Sequence, residues 1–208
     1  MNEPKITRFW PVVTYSNHID VKQEWLNIAK NYQYNRMKID NGWISKDLDI
    51  LNHNFYSDLK SELKNHIHEY VTNTLKIKNK FDFTTSWIVK QEKNDWGQLH
   101  IHKNSIISGV YYLNTPPNCG DIQFNRYINP LLTETFVFDI TEDTLDNADT
   151  IKVKVNEGLL LLFPSNLHHS IEITLSDEPR YCIAFNLFPS DIIGETTISK
   201  LPLKVDLC

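Results

Sequence analysis

A series of short β-type segments, each ended by turn residues, is the feature of this sequence that most constrains its fold. The segments follow one another from residue 83 onward, at residues 83–89, 106–113, 121–124, 135–140, 150–155, 158–163, 169–174 and 181–187. Turn residues separate them, as in Pro116-Pro117-Asn118 and Pro164-Ser165-Asn166. Strands this short and evenly spaced are typical of a sandwich or jelly roll and not of alternating βαβ units.

The first third of the chain has helical periodicity instead. Residues 21–32 predict one helix, and residues 55–75 predict a second whose apolar stripe comprises Leu59, Leu63, Ile67, Tyr70 and Val71. We therefore expect a mainly β protein whose N-terminal helices cover one sheet. The predicted organisation is a single domain with a helical support region over 1–80, a jelly-roll core over 81–190 and a C-terminal tail over 191–208.

Composition excludes several classes of protein. A chain of 208 residues with 41 % apolar and 12 % aromatic residues can form one packed domain. No stretch approaches the roughly 18 apolar residues of a membrane span, and the opening residues lack the pattern of a signal peptide. The net charge of −5 argues against a general nucleic-acid binder. Three widely spaced cysteines, Cys119, Cys182 and Cys208, favour free thiols in a reducing compartment, and we expect a cytoplasmic protein.

Four of the eight histidines stand in a pattern that suits a metal site. His100 and His102 are two residues apart just before a predicted strand. In extended chain such residues project to the same face, so both imidazoles can approach one ion. His168 and His169 begin a later strand, and alternation selects between them. His169 shares its face with the apolar Ile171 and Ile173, so it should point inward while His168 points outward.

Arg180 opens the last apolar strand, whose two faces differ in character. One face carries Cys182, Ala184 and Asn186, and the other carries Tyr181, Ile183, Phe185 and Leu187. The small, polar face with an arginine at one end suits a ligand cavity, where a guanidinium can hold a carboxylate through two parallel hydrogen bonds. The alternative is a surface arginine paired to Asp177 or Glu178.

Two further features have a functional and an ordinary interpretation. The acidic segment 141–149 is either a solvated loop or a flap over a site. Trp87, Trp96 and Tyr111 are either walls of a substrate cavity or core aromatics.

Four segments that together contain the histidines and Arg180 resemble a known family. The segments HIHKNSIISGVYYLNTPP, GDIQF, EGLLLLFPSNLHHSI and EPRYCIAFNLF together resemble 2-oxoglutarate/Fe(II)-dependent oxygenases of the prolyl-hydroxylase-like superfamily. They are most similar to an uncharacterised bacterial and marine-phage group with the pattern H-x-H, then F-P-S, then H-S-[IV], then R. The order and spacing of the blocks agree over about residues 86–188. A phage-encoded member would act in the host cytoplasm.

The resemblance implies a double-stranded β-helix, the jelly-roll or cupin-like fold, that binds Fe(II) and the cosubstrate 2-oxoglutarate. His100 then matches the first histidine ligand, and His169 matches the distal one. Arg180 matches the basic residue that binds the C5 carboxylate of 2-oxoglutarate, and Tyr112 matches a residue that contacts the same cosubstrate. The primary substrate is not specified by these residues.

Position 102 departs from the wider superfamily, where most members have a carboxylate. Three arrangements therefore stay open for the third ligand: His102 itself, a water molecule, or Asp121 from a neighbouring strand. Imidazole suits iron, so a three-histidine centre should still bind Fe(II).

Three functions follow from these observations. The first is an Fe(II)- and 2-oxoglutarate-dependent oxygenase that hydroxylates an unidentified substrate. The second is a metal-binding cupin-like module without turnover, which has no need for an inward arginine after its last ligand. The third is a three-histidine dioxygenase that does not use 2-oxoglutarate, although the Gly-Leu-Leu-Leu-Leu-Phe-Pro-Ser block is similar to prolyl hydroxylases instead.

Overall fold

The protein is represented by a computed structural model that describes residues 7, 11–37, 42–126, 138–194, 200 and 201. Its helices are α1 (Gln23–Lys30) and α2 (Ser57–His68), with 3₁₀ turns at Ile50–Asn52 and Asn54–Tyr56 and a π-helical turn at Glu69–Thr74. Its strands are β1 (Tyr15–His18), β2 (Tyr34–Arg36), β3 (Trp43–Ser45), β4 (Phe81–Gln91), β5 (Gly97–His100), β6 (Ile107–Asn114), β7 (Ile122–Asn125), β8 (Thr150–Val153), β9 (Leu159–Pro164), β10 (His168–Ile171) and β11 (Arg180–Pro189).

The strands form two antiparallel sheets. The larger sheet has the order β1-β9-β6-β11-β4-β3-β2, and the smaller has the order β5-β10-β7-β8. From β4 to β11, consecutive strands alternate between the two sheets, except that β7 and β8 both lie in the smaller sheet. This arrangement is a double-stranded β-helix and confirms the predicted fold class.

The two faces of β11 explain how the larger sheet is stabilised. Its aromatic and aliphatic face packs into a core with both helices, and this core also contains the stripe of α2 and the following turn: Leu59, Leu63, Ile67, Tyr70 and Val71. Burying each large apolar side chain stabilises the fold by roughly 1.5–3 kcal/mol. The helices therefore cover one face of the larger sheet, as the periodicity predicted.

The opposite face of the larger sheet meets the smaller sheet across a second, smaller core. That core contains Val110, Tyr112, Leu161, Phe163 and Cys182. It is interrupted by a cavity at one end, and that cavity is the site described below. The alternation along β11 therefore places Cys182, Ala184 and Asn186 toward the cavity, as predicted.

Several elements differ from the sequence prediction. The chain before residue 80 also contributes β1, β2 and β3 to the larger sheet, and β5 was not predicted as a strand. The predicted strand at 169–174 ends early, at Ile171. Of the predicted strand 135–140, residues 135–137 lie outside the described residues, and 138–140 are not in a strand.

The acidic segment 141–149 is folded into turns beside the smaller sheet. Arg126 donates hydrogen bonds to the carbonyl oxygens of Leu145 (2.7 Å) and Asp146 (3.1 Å). No residue of segment 141–149 lines the cavity between the two sheets. Within the described ranges, no helix is both long and apolar enough to cross a bilayer.

Candidate active site

A cavity of about 320 Å³ lies between the two sheets. Its floor and walls come from β4, β6 and β11 of the larger sheet and from the ends of β5 and β10 of the smaller one. Apolar and aromatic side chains predominate in its lining, and the polar residues that line it are Gln91, His100, His102, Lys103, Tyr112, His169, Arg180 and Asn186. Few polar groups on an apolar lining are typical of a small-molecule site.

Three of the predicted histidines meet at one side of this cavity. His100, His102 and His169 each offer a ring nitrogen, and these three nitrogens lie within 4.8 Å of one another. His100 and His169 are direct partners across the β5–β10 ladder, which brings together residues almost seventy positions apart. His102 follows β5, and its backbone N–H donates to the carbonyl of Ser165 at 2.9 Å.

The hydrogen bonds of these rings define which nitrogen is free for a metal. The Nδ1 atom of His100 lies 2.7 Å from the carbonyl oxygen of Gln98, and that of His169 lies 2.9 Å from the carbonyl oxygen of Leu167. Carbonyl oxygens only accept, so both Nδ1 atoms must donate. The Nε2 atom of each ring therefore carries the lone pair that a metal needs.

The His102 ring also has its proton on Nδ1, but its hydrogen-bond acceptor is a side chain. Its Nδ1 atom lies 2.6 Å from Oδ1 of Asn186, an acceptor on β11 of the opposite sheet. The three rings thus share one tautomer, with donor Nδ1 and free Nε2. This donor set fits a divalent transition metal, and imidazole is a ligand that iron accepts.

Burial keeps two of these histidines unprotonated. The pKa of His169 is lowered to about 3, mainly by desolvation and also by the neighbouring rings of His100 and His102. Desolvation also lowers the pKa of His102, against the opposing effect of its bond to Asn186. Neutral imidazoles are the form that binds metal, so both rings are ready to bind at neutral pH.

His168 and Asp121 lie apart from this cluster. His168 is on the opposite face of β10 and pairs with Asn125 of β7, as the alternation predicted. Asp121 accepts a hydrogen bond from the backbone N–H of Val155 at 3.0 Å and does not line the cavity. Ile171 lines the cavity with His169, but Ile173 is 48 % exposed because β10 has already ended.

Arg180 lies at the inner end of the cavity, and its side chain is buried. It is only 2 % exposed. Its guanidinium donates to the carbonyl oxygen of Gly120 at 3.1 Å and to Oε1 of Gln91. Within the described part of the chain it has no carboxylate partner. The interpretation as a surface arginine is therefore wrong: Asp177 pairs with Lys93 at 2.6 Å instead.

Tyr112 lies beside Arg180 with an unsatisfied hydroxyl group. Its ring centre is 5.7 Å from the guanidinium carbon, and its hydroxyl is buried without a hydrogen-bond partner among the described residues. Burial raises the pKa of Tyr112, so this hydroxyl stays protonated and can donate. A buried cation and an orphaned donor at the same end of a cavity fit a carboxylate ligand.

The three aromatic residues singled out in the sequence divide between cavity and core. Trp87 and Trp96 line the cavity, and the Trp87 ring centre lies 5.7 Å from that of His102. Trp96 is 41 % exposed, which places it at the open end. Tyr111 instead packs in the core against the helices, where its hydroxyl donates to the carbonyl of Ile19 at 3.2 Å.

Sequence reasoning missed the contributions of Gln91 and Asn186. Gln91 ends β4 directly opposite Arg180 in the β4–β11 ladder and accepts its hydrogen bond. Asn186 was placed on the cavity face, but its bond to His102 was not predicted. The signal was its position in the Arg-x-x-x-x-Phe-Asn block, six residues after Arg180 and on the same face.

The protein is a double-stranded β-helix whose cavity contains a histidine cluster suited to a metal ion and a buried arginine suited to an anion. The model of the family described as "Putative 2OG-Fe(II) oxygenase" matches residues 85–186, which include all of these side chains. Over this stretch the chain is therefore similar to the 2OG-Fe(II) oxygenases, a family that uses Fe(II) and 2-oxoglutarate. The resemblance of the sequence blocks to 2-oxoglutarate/Fe(II)-dependent oxygenases is thus confirmed.

Solved structures show the same fold at low sequence identity. HygX from Streptomyces hygroscopicus, with nickel, 2-oxoglutarate and hygromycin B bound, has a TM-score of 0.61 at 12 % identity over 86 % of this chain and 84 % of its own. The non-heme alpha-ketoglutarate-dependent epimerase SnoN from nogalamycin biosynthesis has a TM-score of 0.63 at 14 % identity, over 94 % and 90 %. A Pseudomonas putida prolyl-4-hydroxylase has a TM-score of 0.59 at 10 % identity, over 84 % and 92 %. No curated protein sequence is detectably similar to the chain.

Proposed function

We propose that this protein is an Fe(II)- and 2-oxoglutarate-dependent oxygenase in which His100, His102 and His169 hold the iron. Arg180 binds the C5 carboxylate of 2-oxoglutarate, and Tyr112 donates a hydrogen bond to the same cosubstrate. The observation that carries the proposal is the arrangement along one cavity: three clustered histidine ring nitrogens at one side, and at the inner end a buried guanidinium that has no carboxylate partner among the described residues.

The bound iron and cosubstrate together supply the activation of O₂ and the oxidising chemistry of the family. The chain itself positions these groups. Arg180 fixes the distal carboxylate in a buried site, and its own orientation is set by Gly120 and Gln91. This leaves the keto-acid end of the cosubstrate to face the histidine cluster. The apolar walls, which include Val110, Phe163 and Ile171, exclude water from the space between.

The third ligand has a consequence for charge. A carboxylate at position 102 would contribute one negative charge to the metal centre, whereas His102 contributes none. The neutral triad therefore leaves the iron and its ligands one unit more positive. We propose His102, and not Asp121, because a ring nitrogen of His102 belongs to the cluster while the Asp121 carboxylate accepts a hydrogen bond from the backbone of Val155.

The primary substrate enters from the open end of the cavity in this proposal. Trp87, Trp96, Met37 and Ile44 provide apolar contact area there, and Lys103 provides a positive charge. The enzyme works in a reducing compartment such as the cytoplasm. This is supported by Cys119 and Cys182, which are buried free thiols.

Calorimetric titration of 2-oxoglutarate into the Mn(II) form separates this function from the metal-binding module. We expect one binding site per chain that requires the metal, with no heat in the metal-free protein. Metal binding without any binding of 2-oxoglutarate would leave the cupin-like module, or the three-histidine dioxygenase, as the better account.

A further inference from the structure

Asn186 lies at the centre of a polar contact network directly behind His102. Its side-chain Oδ1 atom accepts from Nδ1 of His102 at 2.6 Å and from the hydroxyl of Ser108 at 2.9 Å. Its Nδ2 atom donates to the hydroxyl of Thr85 at 3.2 Å. The amide is thus held from both ends, and its oxygen is directed to the histidine.

The sheet explains why this amide is so well placed. Asn186 on β11 is the direct ladder partner of Ser108 on β6 and of Thr85 on β4. Cross-strand neighbours on one face lie close enough to bond, so the two flanking strands supply both partners. The Ser108 hydroxyl is itself 2.8 Å from that of Ser165, which lies 2.8 Å from that of Ser105. A row of three hydroxyls therefore ends on the Asn186 oxygen.

His102 depends on this contact more than the other two histidines depend on theirs. His100 and His169 donate to backbone carbonyls two residues away in their own segments, and they pair with each other across a ladder. His102 lies beyond the end of β5, and its ring bonds to a side chain from the opposite sheet. A side chain can be changed without altering the backbone, so this ligand is the one whose support can be tested by substitution.

We propose that Asn186 is the positioning residue of the metal centre. Its acceptor oxygen fixes the proton of His102 on Nδ1 and the ring plane toward the cavity, so that Nε2 faces the metal. This inference rests on the proposed function only in taking His102 as a ligand. Asn186 is not a ligand itself, since its oxygen already accepts two hydrogen bonds.

The test measures Mn(II) affinity of the full chain from the electron paramagnetic resonance signal of free Mn(II). Asn186→Leu removes the acceptor at nearly constant volume, and Asn186→Asp keeps it. Loss of a group that orients a metal-bound histidine typically weakens metal affinity about 10- to 100-fold. We expect that loss in Asn186→Leu and less than about threefold change in Asn186→Asp, so the conservative variant rescues binding. Thr85→Val, which cuts only the bond at the other end of the amide, is the matched control and should stay near wild type.

A double-mutant cycle shows whether Asn186 acts through His102. If it does, His102→Ala and His102→Ala/Asn186→Leu bind Mn(II) equally, because the orienting group has nothing left to orient. Additive losses, or wild-type affinity in Asn186→Leu, would overturn the positioning role. Wild-type affinity in His102→Ala is a different result: it would remove His102 from the proposed ligand set, and the positioning role would fall with it.

Discussion

Arg180 and Tyr112 share the inner end of the cavity, with the guanidinium carbon 5.7 Å from the centre of the phenol ring. Both carry a buried hydrogen-bond donor that points to no carboxylate within the described part of the chain. A guanidinium bound only by the neutral acceptors of Gly120 and Gln91, and a hydroxyl without any partner among the described residues, are both costly to bury, so their joint presence favours an anionic ligand. The alternation of β6 and β11 produces this pair, since Tyr112 and Cys182 are ladder partners and Arg180 shares the Cys182 face.

Substitution of Arg180 should separate cosubstrate binding from metal binding. In Arg180→Ala we expect the metal to be retained and 2-oxoglutarate affinity to fall. Removing one partner of a buried charge pair costs on the order of 2–5 kcal/mol, which is roughly 30-fold to several-thousand-fold in affinity. Arg180→Lys should be intermediate, because an ammonium keeps the charge but not the fork of donors. Calorimetry on the Mn(II) forms measures both constants, and an unchanged affinity in Arg180→Ala would contradict the assigned role.

Removal of the Tyr112 hydroxyl should not reduce the stability of the free protein but should weaken the binding of 2-oxoglutarate. In the free protein the hydroxyl is buried and unpartnered, so Tyr112→Phe should leave the free energy of unfolding unchanged or raise it by about 1 kcal/mol. With 2-oxoglutarate present, we expect affinity to fall about tenfold, or 1.4 kcal/mol. Urea denaturation and calorimetry provide the two values.

Tyr111→Phe is the matched control for that variant. The Tyr111 hydroxyl already donates to the carbonyl of Ile19, on the helix side of the sheet. Its loss should destabilise the free protein by roughly 0.5–1.5 kcal/mol and leave 2-oxoglutarate affinity unchanged. If both variants behaved alike, Tyr112 would be an ordinary core residue.

The adjacent histidines of β10 should differ in their effect on metal content. We expect His169→Ala to lose bound metal and His168→Ala to keep most of it, because only the His169 ring reaches the cluster. The metal content of the purified variants, reconstituted under the same conditions, decides between them. Equal loss in the two variants, or loss only in His168→Ala, would reverse the assignment.

The buried thiols should be reduced and slow to react. Burial raises the pKa of Cys182 to about 11 and also raises the pKa of Cys119. Since the thiolate is the reactive form, we expect negligible labelling of both in the native protein and rapid labelling in denaturant. Cys208 lies outside the described residues, and all three thiols should be counted after denaturation. A count of one would reveal a disulfide and contradict the reducing compartment.

The sequence predicted the parts of the site that depend on alternation. His169 could be placed inward because a strand turns every second residue to the same face. For Arg180 the same pattern left a cavity position and a surface position open, and only the family resemblance favoured the cavity. The same argument failed at Ile173, because it assumed that β10 continues beyond Ile171.

The other parts of the fold and site depend on contacts between segments that are far apart in the sequence, and local sequence patterns do not predict these contacts. β1, β2 and β3 have only three or four residues each and no clear alternation, so nothing marked them as strands before the larger sheet was known. The bond between Asn186 and His102 joins two sheets across 84 positions. Gln91 becomes the partner of Arg180 only through the register of β4 and β11. Register and sheet packing, and not local propensity, place these residues.

Anaerobic titration of 2-oxoglutarate into the Fe(II)-loaded wild-type protein tests the central claim most directly. Chelation of iron by the keto acid produces a weak visible metal-to-ligand charge-transfer band. We predict that this band appears and saturates at one equivalent of 2-oxoglutarate per chain, and that His169→Ala does not develop it. An Fe(II) protein that binds its metal but shows no such band at saturating 2-oxoglutarate would contradict the assignment as a 2-oxoglutarate-dependent oxygenase.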